Sequence, residues 1–131
     1  MIHYDYLWRR QHLEGAENAA YPRPCVVVVV VRSVDRNALR VLVAPITHSA
    51  PRPGQSVIAM PPRVKNALGL DAEQSWIVVD EANEFDWPGY DVRPDHSGRI
   101  VYGFLPPALY ERVRTAMLER LMGGRMARTP R

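Results

Sequence analysis

Six consecutive valines, Val26–Val31, follow Arg23, Pro24 and Cys25 and end at Arg32. β-Branched side chains are stiff at χ1 and crowd a helix, so such a run is a strand. It does not alternate with polar residues, so both faces of the strand are covered. A 131-residue chain then has to place apolar layers on two sides of one strand. With twelve prolines breaking the sequence, the layers come from short strands, turns and few helices.

The flanking segments fit that requirement. Tyr4 to Trp8 reads as a short aromatic strand. The polar stretch Arg9 to Pro24 reads as a loop with a short helical piece near Leu13 to Ala20. Leu39 to Ile46 is a second strand, joined to the valine strand by a polar turn as a hairpin. Ser56 to Met60 and Ser75 to Asp80 are further strands. Pro61-Pro62 opens a short helix that Gly69 ends. Glu81 to Gly98 reads as a long loop, and Arg99 to Leu105 as the last strand. From Pro107, Leu109, Val113, Ala116, Met117 and Leu121 recur at helical spacing with charges between them, up to Gly123-Gly124. The result is one domain, residues 1–122, a small bent sheet or barrel with a C-terminal helix on it. Residues 123–131 read as a basic, disordered tail.

Composition narrows the function classes only a little. The formal net charge is +3, which permits a polyanionic partner without demanding one. Lys65 is the only lysine, and the arginine bias suits planar, bidentate phosphate recognition. The single cysteine, Cys25, forms no internal disulfide and reads as a small buried hydrophobe. The longest apolar run, Cys25 to Val31, is far short of the roughly 20 residues of a membrane span, and no signal-peptide h-region is present. A cytoplasmic protein is expected. His3, His12, His48 and His96 have no ligand spacing with one another or with Cys25, so no metal site and no cofactor are expected.

Three blocks resemble the PemK/MazF toxins: "GAENAAYPRPCVVVV", "VLVAPITH" and "WIVVDEANEFDWPG". They stand in that family's order and at similar spacing, and the likeness runs roughly from Tyr4 to Leu121. It implies an SH3-like β-barrel with a C-terminal helix, assembled as a homodimer. It implies a metal-independent endoribonuclease that cuts single-stranded RNA and is neutralised by a small antitoxin protein encoded beside it. Such an enzyme uses the substrate's 2′-hydroxyl as nucleophile, so the protein has to manage two protons and the charge at phosphorus.

The resemblance assigns residues. Arg23 matches the family's Arg-Pro arginine and would stabilise the charge at phosphorus. Thr47, at the end of the neighbouring strand, matches its active-site threonine and would orient the phosphate; a strand-end threonine also caps turns. Asp80 matches the aspartate of the family's Asp-Gln pair and would be base, positioning group or structural residue. Glu81 replaces the glutamine of that pair, and Val78 stands where one branch carries an arginine proposed as general acid. Glu17 matches a glutamate near the RNA groove and otherwise reads as a surface carboxylate. His48 has no clear equivalent in the family; beside Thr47 it can exchange a proton near neutral pH and contact RNA, or is an exposed loop histidine. Trp87 with Phe85 and Tyr90, flanked by Arg93 and Arg99, can stack bases or cover the barrel or a dimer interface. Glu81, Glu84, Asp86, Asp91 and Asp95 make that segment acidic for an RNA groove. They favour an alternative, a non-cleaving barrel of the same fold that binds a protein target such as gyrase.

Overall fold

A computed structural model describes residues 1–15, 22–33, 38–87 and 103–131. It is mainly β, a strongly curled sheet with one long helix against it. The strands are β1 (Ile2–Tyr4), β2 (Arg23–Ser33), β3 (Ala38–Thr47), β4 (Val57–Ala59), β5 (Trp76–Val78), β6 (Glu81–Trp87) and β7 (Ala127–Pro130). The helices are α1 (Arg9–Leu13), α2 (Pro62–Ala67) and α3 (Pro107–Met122).

The valine strand is β2, paired antiparallel with β1 on one edge and β3 on the other. Over residues 25–28 both of its faces are covered, as the sequence requires. Val26 and Val28 point into a core shared with Leu109, Val113 and Met117 of α3. Cys25 and Val27 point the other way, into an aromatic cluster of Tyr4, Tyr6, Trp8 and Phe85. Each fully buried valine contributes about 1.5–3 kcal/mol. Cys25 is enclosed in that cluster, and burial pushes its thiol up, out of the reactive range.

A bulge falls between Val27 and Val29, where the pairing with β3 slips by one residue. Val28 is thereby taken out of the ladder, and the Tyr110 hydroxyl of α3 donates to its carbonyl at 2.6 Å. The contact ties the helix to the sheet where the sheet bends.

β3 changes partner along its second edge. Leu39–Val43 pair with β6, and Ile46–Thr47 pair with β5, which in turn pairs with β4. Pro45 sits in the gap between the two ladders, where its missing N–H costs least. The sheet curls at this point.

Four expectations are corrected. Glu81–Trp87 is a strand and not the start of a long loop. Its core-facing residues Ala82 and Phe85 are buried, while Glu84 and Asp86 face Arg40 across the β3–β6 pair. Opposite-charge cross-strand pairs stabilise acids in a strand that composition alone reads as loop. The tail is ordered in part: α3 carries the chain back across the sheet, and Ala127–Pro130 pairs parallel with β6. The expected strand from Tyr4 to Trp8 is not formed: β1 runs over Ile2–Tyr4 and ends where the chain turns, with Tyr6 N–H donating to Tyr4 C=O at 3.0 Å. Of the expected last strand, Gly103–Leu105 is not in a strand, and Arg99 to Tyr102 lie outside the described residues.

Asn83 holds the segment beyond that turn. Its side chain is buried, donates from Nδ2 to Leu7 C=O and accepts Leu7 N–H at Oδ1, both at 2.8 Å. The amide thus stands in for a strand partner. Asn83→Ala leaves two buried backbone groups unpaired. It should cost about 3 kcal/mol in chemical unfolding with an unchanged m-value, whereas alanine at the exposed Arg63 should be nearly neutral.

Candidate functional site

The open end of the β2–β3 pair carries the site. The register Cys25↔Pro45 runs on to bring Arg23 level with Thr47. Both residues line two adjoining hollows. The smaller, about 90 Å³, is walled by Trp8, Arg10, Arg23, Thr47, Ser49, Ala50, Arg52 and Gln55. The larger, about 260 Å³, adds His48, Lys65, Asp71 and Ser75 to Arg23, Thr47 and Ser49. Arg23 and Thr47 form the ridge between them.

The smaller hollow is basic, with three guanidinium groups and no acid among the described residues of its walls. Trp8 is the platform for two of them. The Arg23 guanidinium lies 4.9 Å from the ring centroid and that of Arg10 5.0 Å, each a cation–π contact. Trp8 itself is almost fully buried at the start of α1. The third guanidinium, Arg52, begins a tight turn over Pro53 and Gly54. Gly54 has φ of +82°, as the third position of a type II turn requires. Gln55 N–H closes the turn onto Arg52 C=O, and the Gln55 side chain accepts Arg52 N–H, each at 3.0 Å.

The Thr47 hydroxyl accepts Ser49 N–H at 3.1 Å, the turn-capping contact expected of a strand-end threonine. Accepting leaves its own proton available to an anion in either hollow. The arrangement is a concave surface of arginines and hydroxyls suited to a phosphate group.

The larger hollow contains a linked set of charges. Lys65 of α2 is buried, and its ammonium donates to Asp71 Oδ1 at 2.7 Å, to Ser75 Oγ at 2.6 Å and to Glu73 C=O. It fastens the loop after α2 back onto that helix. This bond, above all, holds the Asp71 carboxyl below its usual range, with His48 adding to the effect. His48 Nε2 lies 2.9 Å from Asp71 Oδ2 and Nδ1 2.9 Å from Glu73 Oε2.

Of the expected site residues, the fold gathers Arg23, Thr47 and His48. Asp80 lines neither hollow; its carboxylate accepts Ser56 N–H at 2.9 Å and fixes the approach to β4. Trp87 packs on the aromatic cluster, stacked on Phe85, which stacks on Tyr4. Glu17 and Arg93, with Tyr90 and Arg99, lie outside the described residues. Val78 is wholly buried. Glu81 is turned away from both hollows, onto Arg9 N–H at 2.8 Å. Glu84 and Asp86 are engaged by Arg40. The described acids of β6 are thus engaged away from the basic hollow. Trp8, Arg10, Arg52 and Lys65 escape sequence reasoning. "WRR" hints at the first two, but only the turn after β1 brings them beside Arg23.

Comparison of the chain with protein-family models, with curated proteins and with solved structures gives no match.

Two pH effects follow. Because the Asp71 carboxyl is lowered on folding, its contribution is present above the unfolded carboxylate range and lost as pH falls through the folded value. Thermal melts should show Asp71→Asn less stable than the parent at pH 7, the difference closing below pH about 4. Glu81 has the opposite sign. Burial pushes its carboxyl up, so its charged form weighs against folding at neutral pH. Glu81→Gln keeps an acceptor for Arg9 N–H and should raise the Tm at pH 7, the gain disappearing below pH about 4.

Proposed function

We propose that this chain is a PemK/MazF-like toxin with an SH3-like barrel, cutting single-stranded RNA through attack of the substrate's 2′-hydroxyl. The observation that carries the reading is the shared ridge: Arg23 and Thr47, from neighbouring strand ends, line both hollows beside Arg10 and Arg52. Arg23 stabilises the charge that develops on the phosphoryl oxygens, with Arg10 and Arg52 holding the flanking backbone. Thr47 orients the phosphate. The resemblance of the three sequence blocks supports the family reading, and with it a homodimer and a small antitoxin protein as partner. No helix among the described residues is long and apolar enough to cross a membrane.

One observation favours a second reading. Asp80 lines neither hollow, and its carboxylate turns to Ser56 N–H and not to the ridge. In that reading the barrel binds a protein target and does not cleave.

Purified protein incubated with total RNA in EDTA discriminates the two. Cleavage should leave a 2′,3′-cyclic phosphate and a 5′-hydroxyl, and Arg23→Ala should slow it about 100-fold or more. Intact RNA from cells whose growth the protein arrests would establish the second reading instead.

A further inference from the structure

Resting on the ribonuclease reading, we infer that His48 is the general acid of the reaction and that Asp71 is the residue that positions it. Breaking the P–O5′ bond releases an alkoxide, which has to be protonated as it leaves. Arginine is a poor proton donor because it stays charged at any working pH. Apart from the arginines, the ionisable side chains among the described residues lining the two hollows are His48, Lys65 and Asp71. Lys65 is buried with its ammonium committed to three acceptors. Asp71 is held ionised by that same ammonium. His48 remains, half-exposed, next in the chain to Thr47 and in the same hollow as Arg23.

Its hydrogen bonds suit the role. Both ring nitrogens face carboxylate oxygens at 2.9 Å, and carboxylates only accept, so both contacts are satisfied when each nitrogen carries a proton. The two carboxylates differ in how firmly they are held. Asp71 is fixed by Lys65 Nζ and by Glu73 N–H at 3.1 Å. The Glu73 side chain is 70% exposed and held by no comparable bond, so it can swing off Nδ1 when a phosphodiester arrives. Asp71 thus keeps Nε2–H and fixes the ring, while Nδ1–H is the proton delivered. The charged groups facing the imidazole are Asp71 and Glu73, with Lys65 behind Asp71 and Arg23 across the hollow.

The step balances without a further reagent. The 2′-hydroxyl loses its proton to solvent and its oxygen bonds to phosphorus. The P–O5′ bond breaks, and the 5′-oxygen takes the Nδ1 proton of His48. The products are a 2′,3′-cyclic phosphate, a 5′-hydroxyl and a neutral imidazole, which water reprotonates.

The test uses the full chain and two RNA substrates, identical except that one has sulfur in place of the bridging 5′-oxygen at the bond the parent protein cuts. A thiolate leaves without protonation. On the oxygen substrate, the parent rate should fall on the alkaline side, and His48→Gln should be about 100-fold slower with that limb gone. On the sulfur substrate the two proteins should agree within a few-fold, and the parent should lose its alkaline limb. Binding of a randomised 2′-O-methyl RNA pool should be unchanged by His48→Gln, which also reports that the variant is folded. Equal slowing of His48→Gln on both substrates overturns the assignment. So does a parental rate and pH profile for His48→Gln while Arg23→Ala is inactive, with the ribonuclease reading left standing. A parent protein that leaves both substrates intact removes both readings.

Discussion

β3 is bonded on both edges for most of its length, and the rest of the molecule is arranged around that fact. One edge holds β2; the other holds β6 and then, after Pro45, β5. A strand that changes partner midway cannot lie in a flat sheet. The β5–β4 pair is turned away from the β6–β7 pair, and the sheet curls between them. The bulge at Val28 adds bend on the opposite edge, where the Tyr110 hydroxyl meets the displaced carbonyl. Curling leaves the end of β3 and the start of β2 exposed at the rim, and Thr47 and Arg23 stand there.

The rim is rigid for reasons that lie below it. Trp8 is buried against the aromatic side of the sheet, and two arginines rest on it. Its own position depends on Asn83, which holds Leu7 as a neighbouring strand would. On the far side, Lys65 fastens the loop that presents Asp71 and Glu73 to His48. The polar groups in the core thus fix segments that make no ladder of their own, and those segments carry the charged side chains. A buried lysine and a buried asparagine are costly unless they are hydrogen-bonded; here Lys65 has three acceptors and Asn83 bonds Leu7 on both sides of its amide.

Local chemistry was legible where it was strong. The valine strand, its hairpin partner, the short α2 with proline at its start and Gly69 at its end, and the α3 stripe of Leu109, Val113 and Met117 all follow from propensity and period. β6 was not legible, because its outward acids make it read as a loop until Arg40 is placed opposite them. β7 was not, because four residues ending in a proline carry no strand signal; only the edge of β6 makes them one. In the site, Arg23 and Thr47 were assigned by the family resemblance, at strand ends that the propensities placed. Trp8, Arg10 and Arg52 were not, since they converge from two segments far apart in the chain.

By itself, then, the sequence determined the elements whose signals are local: a doubly covered valine strand, a paired second strand and an amphipathic terminal helix. It also determined which residue types stand at the strand ends. Tertiary structure alone decided which charges meet. It turned Glu81 onto a helix start and Asp80 onto a backbone N–H, and set Arg10 and Arg52 beside Arg23. The reason is physical. Helix and strand propensities act over a few residues, whereas the field at a site is the sum of charges brought together by chain reversals, which no short window of sequence records.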